Sequence, residues 1–181
     1  DLHARFEAAV NDVLDRIEPL FEAITYLRIH GDLHRNNMLW RPEEPLALID
    51  FDDMAEGPAV QDLWMLLPGR LADSNHELEL LLEGYETFRT FDRGELLLVE
   101  PLRFMRMIHY LAWCGRQKED GGFSRVSADW GTEAFWQTEI HDIIKQGHEI
   151  RDAAHCTSDR ARCPRRTAPA AHRPCAGGGQ D

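Results

Sequence analysis

Along this chain of 181 residues the spacing of apolar positions changes several times, and each spacing predicts a different element. Over residues 2–24, Phe6, Val10, Val13, Leu14, Ile17, Leu20 and Phe21 recur every three or four residues, which is the pattern of an amphipathic helix. Pro19 predicts a break near its end, because proline has no N–H for the helical ladder. Residues 26–30 form a short β-rich run, followed by a polar turn over 31–37. Two more short apolar runs, 38–40 and 46–51, flank Arg41-Pro42-Glu43-Glu44-Pro45, and a hairpin is the economical reading.

Beyond residue 57 the periodicity is helical. Pro58 is placed to open a helix over 59–67. Ser74 or Asn75 can cap a helix carrying Leu78, Leu81, Leu82, Tyr85 and Phe88 inward. Residues 96–116 form the most apolar helix, with Pro101 near its start, and 118–131 read as a loop. A last helix starts at Thr132 with Phe135, Trp136, Ile140, Ile143 and Ile144 inward. The predicted fold class is α+β, mainly α: a helix, a small β hairpin, and a helical bundle.

Composition changes this picture at one end. Hydrophobic residues make up 43% of the chain, yet residues 151–181 contain no Val, Ile, Leu, Met, Phe, Tyr or Trp. Such a segment cannot bury enough apolar surface to offset its ordering entropy. The expected organisation is therefore a globular unit over 1–150 and a disordered Ala/Arg/Pro/Gly-rich tail over 151–181. The abruptness of the change points to a shifted reading frame or misplaced gene boundary. His155, Cys156, Cys163, His172 and Cys175 lie in that tail, but their spacing matches no paired zinc motif.

Charge then excludes some functions. The tail holds six Arg and three Asp, leaving 14 basic and 29 acidic residues in 1–150, a net of −15. Nucleic acid is thus not an expected partner, since a general binder must neutralise phosphates with a basic face. Nor is a membrane, because Glu100, Arg103, Arg106 and His109 interrupt the longest apolar stretch. The first 24 residues are amphipathic and acidic, unlike a secretory signal. Cys114 is the lone cysteine of 1–150, which fits a reducing, cytoplasmic compartment. A monomer is expected, and a chain opening on Asp1 rather than Met is expected to be a piece of a longer one.

The chemistry concentrates in His30-Gly31-Asp32-Leu33-His34-Arg35-Asn36-Asn37 and Leu48-Ile49-Asp50-Phe51-Asp52. Asp32 follows a strand at a turn, where a carboxylate can accept a proton from a substrate hydroxyl. Asn37 offers an amide oxygen, and a hairpin returns Asp50 beside it. Two such oxygens suit Mg²⁺, which fills its remaining positions with water and phosphate oxygens. One Asp near the nucleophile and an Asn/Asp pair on the metal is the division of labour of phosphoryl transfer in kinase-like enzymes.

His30-Gly31-Asp32-Leu33-His34-x-x-Asn37 with Ile49-Asp50-Phe51-Asp52 resembles the signature of the aminoglycoside phosphotransferase and choline kinase-like family. Leu39-Trp40-Arg41, Asp52-Asp53, the run from Gly57-Pro58 to Leu66-Leu67, and Glu100-Pro101-Leu102-Arg103 resemble its bacterial stress-response Ser/Thr protein kinases. The likeness spans residues 1–150. It implies a kinase-like carboxy-terminal lobe, with Asp32 and Asp50 catalytic, Asn37 and Asp50 on Mg²⁺, and Asp62 bracing the catalytic loop. His34 falls at the position of the kinase catalytic-loop lysine and stands between a γ-phosphate contact and a packing role. The implied co-substrate is ATP and the implied acceptor a protein Ser or Thr hydroxyl.

The chain departs from the family where Asn36 replaces a common Gly; Asn tolerates positive φ, so the turn is expected to survive. Only two lysines occur, Lys118 and Lys145, and no glycine-rich stretch precedes the motif, so the expectation is a lobe without its amino-terminal partner. Other readings stay open: a small-molecule kinase, a transition-metal hydrolase built on His30, Asp32 and His34, or a non-catalytic interaction module.

Overall fold

A computed structural model describes residues 1–119 and 128–162. Helix α1, Leu2–Ile17, is capped by Asp1, whose carboxylate accepts from the His3 N–H, and it buries Val10, Val13 and Ile17. Pro19 ends it, and a 3-10 turn, Glu18–Phe21, carries the chain round. Strands β1 (Leu27–Ile29), β2 (Met38–Leu39), β3 (Ala47–Leu48) and β4 (Ala55–Gly57) follow. The expected hairpin is β2–β3, antiparallel with Met38 opposite Leu48 and Leu39 opposite Ala47. Its turn holds Glu43 at φ 66°.

Strand β4 was not anticipated. It pairs antiparallel with β1, Leu27 opposite Gly57 and Ile29 opposite Ala55. Ala-Glu-Gly has low intrinsic strand preference, so here the pairing partner decides. Its effect is to fold the segment between Ile49 and Met54 back over the turn that follows β1.

The remaining elements are helical: α2 (Val60–Trp64), α3 (Asn75–Glu86), α4 (Val99–Glu119) and α5 (Glu133–Arg162). The molecule is thus mainly helical with two small antiparallel sheets. Helix α2 is shorter than expected, and Ser74 precedes α3 without capping it, its buried hydroxyl having no partner among the described residues. Thr132 does cap α5, its hydroxyl accepting from the Phe135 N–H at 3.2 Å. Ile140 and Ile143 are buried as expected, but Ile144 faces outward at 45% exposure. Phe88 is likewise exposed rather than inward.

The expected loop over 118–131 is trimmed by α4, which runs through Glu119; residues 120–127 lie outside the described ones. Helix α5 continues through Arg162, so the backbone of 151–162 is helical where composition predicts disorder. Ala and Arg are strong helix formers, and extending a formed helix requires no new nucleus. The expectation for residues 163–181 falls outside the described residues.

Two apolar clusters hold these elements. One gathers Val60, Leu63 and Trp64 of α2 with Leu78 and Leu82 of α3 and Val99 and Leu102 of α4. The other gathers Val10, Val13 and Ile17 of α1 with Phe104 and Leu111 of α4 and Ile143 and Ile150 of α5. Among the described residues no helix is long and apolar enough to cross a membrane.

Candidate active site

The site begins where β1 ends. The His30 and Gly31 N–H groups donate to the two oxygens of Asp62, at 2.7 and 2.9 Å. Gln61 donates to the Gly31 carbonyl at 2.8 Å, and Trp64 Nε1 donates to the Gln61 side chain. One turn of α2 therefore grips the backbone immediately before Asp32. Gly31 has φ 87°, and a Cβ there would lie 2.2 Å from the Asp53 carbonyl oxygen. Only glycine meets both the conformation and the approach.

From Asp32 the chain turns tightly. The His34 N–H donates to the Asp32 carbonyl and the Asn37 N–H to the His34 carbonyl, both at 2.9 Å. Asn36 lies within a 3-10 turn, Arg35–Asn37, so the turn survives without a positive φ at that position. Asn37 is buried, and its amide nitrogen donates to the Asp32 carbonyl at 2.9 Å. That commitment leaves Oδ1 as the side chain's acceptor, without a donor among the described residues.

The hairpin brings the second element home. The Ile49 N–H donates to the Asn37 carbonyl at 3.0 Å, which sets Asp50 one residue beyond a direct backbone link to Asn37. The ring of His30 hydrogen-bonds through Nε2 to the Ile49 carbonyl at 2.9 Å and packs on Phe51 at 4.8 Å. Asp50 is exposed and left-handed, φ 64°, a conformation that Asp tolerates better than most residues. Asp32, Asn37 and Asp50 are thus tied to one small backbone unit.

The predicted residues divide clearly. His34 Nε2 lies 3.5 Å from Asp32 Oδ2, so its imidazole sits beside the candidate base. His30 turns away to Ile49, and among the described residues no three His, Cys, Asp or Glu side chains group to hold a metal. The donor set of an amide oxygen and a carboxylate fits a hard cation that takes its other oxygens from water and phosphate. Asp52 is exposed.

One residue at the site was not anticipated. Arg106 of α4 donates from Nη1 to Asp32 Oδ1 at 2.5 Å, and the same nitrogen lies 3.8 Å from Met65 Sδ. In the sequence Arg106 is just one charge in an apolar helix, 74 positions from Asp32. An arginine near the middle of that helix hints at a buried or paired role, but nothing local names the partner.

Comparisons with known proteins identify the family. The profile of a family described as "Phosphotransferase enzyme family" matches residues 1–98. The chain is 40% identical over 153 residues to "Stress response kinase A" of Escherichia coli (strain K12), covering 83% of this chain and 46% of that protein. It is 46% identical over 121 residues to "Serine/threonine protein kinase RdoA" of Salmonella typhimurium, covering 66% and 36%. The chain spans about half the length of the curated relatives it matches. Among solved structures, a spectinomycin phosphotransferase in complex with ADP and spectinomycin aligns with a TM-score of 0.47 at 20% identity, over 83% of this chain and 49% of that one.

Proposed function

Since the chain belongs to the phosphotransferase enzyme family, we propose that it carries the catalytic and metal-binding half of an ATP- and Mg²⁺-dependent kinase acting on protein Ser or Thr hydroxyls. The observation that carries this reading is the backbone link between Ile49 and Asn37, which sets the backbone of Asp50 one residue from the turn bearing Asp32 and Asn37. The names of the relatives, stress response kinase A and a serine/threonine protein kinase, favour the protein acceptor.

Asp32 orients the acceptor hydroxyl and takes its proton as the oxygen bonds to the γ-phosphorus, while the bond from that phosphorus to the β–γ bridging oxygen breaks and ADP leaves. Asp62 acts through the backbone, fixing the chain just ahead of Asp32 with two charge-assisted hydrogen bonds. Asn37 Oδ1 and Asp50 are the groups that would hold Mg²⁺, which when bound offsets charge on the phosphate oxygens. His34 stands where an imidazole can touch a phosphate oxygen. Most of the rate enhancement in such a site comes from placement and electrostatics.

The test is a Mg·ATP titration of the chain beside Asp50→Ala. A Kd at least about tenfold weaker in the variant is expected, from the loss of a direct carboxylate ligand. Equal titration curves would remove Asp50 from the metal site. Phosphorylation of an aminoglycoside or choline with no transfer to any protein would replace the acceptor.

A further inference from the structure

Asp32 does not stand free: the Arg106 guanidinium occupies one of its two oxygens. An acceptor hydroxyl that is to give its proton to that carboxylate competes with a charge-assisted hydrogen bond. Arg106 has five N–H donors, and among the described residues only Nη1 is engaged. Its side chain is 44% exposed, so it can turn to a new partner without dragging α4.

The surroundings indicate the sign of that partner. Next to the pair opens a depression of about 400 Å³ lined by His34, Arg35, Asn36, Met65, Leu67 and Pro68. His34 and Met65 join it to the site, since the one touches Asp32 and the other Arg106. None of the six is acidic, although the chain has 32 Asp and Glu and a formal charge of −12. Arg35, at the rim, reaches among the described residues only the Leu66 carbonyl at 3.3 Å and stays exposed. The Arg35 guanidinium and the His34 imidazole thus line the depression, and Arg106 adjoins it through Met65, a set of groups that opposes a polycation and favours an anion.

Building on the kinase reading, we propose that Arg106 is a specificity-determining residue that selects protein segments in which the target Ser or Thr is flanked by a carboxylate. The flanking acid draws the guanidinium off Asp32, and the vacated oxygen accepts the hydroxyl. A neutral or basic acceptor leaves Asp32 Oδ1 held by Arg106.

The experiment titrates the full chain with three otherwise identical Ser peptides, flanked by Glu, Gln or Lys, and repeats the series with Arg106→Ala and Arg106→Glu. In the wild type the Glu peptide should bind about fivefold more tightly than the Lys peptide, the size of a half-exposed ion pair. Arg106→Ala should abolish the preference and Arg106→Glu reverse it. Equal affinity for the Glu and Lys peptides in the wild type, no binding of any peptide, or a preference that survives in Arg106→Glu overturns the proposal. The wild-type comparison decides even if a variant does not fold. Mg·ATP binding is read in parallel with Asp50→Ala: its failure with the peptide order intact counts against the kinase reading alone. Loss of the peptide order with Mg·ATP binding intact counts against Arg106 alone.

Discussion

Glu95 is 5% exposed, and its carboxylate accepts from the Val60 N–H at 3.0 Å, anchoring the start of α2. Burial pushes its pKa above the ordinary 4.5, only partly opposed by the backbone hydrogen bonds at Val60 and Ala59. The folded state therefore keeps this proton to higher pH than the unfolded chain does. Stability from this residue is greatest below about 4.5 and falls as pH rises from there through the raised folded value. Glu95→Gln keeps an oxygen for Val60 and removes the ionisation. Urea unfolding from acid to neutral pH should show the variant gaining on the wild type across that window; a pH-independent difference would rule the mechanism out. The placement of the candidate residues was legible in the sequence where it is local. Asp32, Asn37 and Asp50 fall in two short motifs joined by one hairpin, whereas Arg106 reaches Asp32 from 74 positions away.

Helices α1 and α5 illustrate what an element contributes. Phe6 packs edge-on to Trp136 at 5.5 Å, and a Cβ on Gly147 would lie 2.9 Å from Val13 Cγ2. Val13 is 2% exposed and β-branched, so it has little room to move. Gly147→Ala gains roughly 1 kcal/mol of helix propensity but forces overpacking that costs about 1–3 kcal/mol. We expect a net loss of about 1 kcal/mol, read as a lowered denaturant midpoint; a more stable variant would mean that the α1–α5 contact is looser than it stands here. Periodicity revealed α1, α3 and α4 because one face of each is apolar, and two short apolar runs about a proline-bounded turn revealed the β2–β3 hairpin. Strand β4 escaped notice because Ala-Glu-Gly carries no such pattern and owes its conformation to β1.

Across the molecule, α4 joins the two apolar clusters: Val99 and Leu102 belong to one, Phe104 and Leu111 to the other. Leu20 and Phe21 pack against both. Phe104 and Leu82 are fully buried, one in each cluster. Phe104→Ala should cost about 3–5 kcal/mol and Leu82→Ala about 2–5 kcal/mol. Because α4 is shared, both should shift the same cooperative transition, followed by circular dichroism and by tryptophan fluorescence. Two separated transitions would show that the clusters unfold independently. The candidate-site turn hangs from the α2–α3 cluster through Asp62, Gln61 and Glu95, so its geometry should be lost with that cluster.

The helical periodicities, the hairpin, and the local grouping of an acid, an amide and a second acid around one tight turn are written in the order of the residues. All of these depend on neighbours a few residues apart, which covalent geometry brings together. Tertiary structure decided the rest: the pairing of β4 with β1, the outward turn of Ile144, and the arrival of Arg106 at Asp32. Those depend on how elements distant in the chain pair and pack, and the energy that selects such packing is spread over many contacts that no short stretch of sequence encodes.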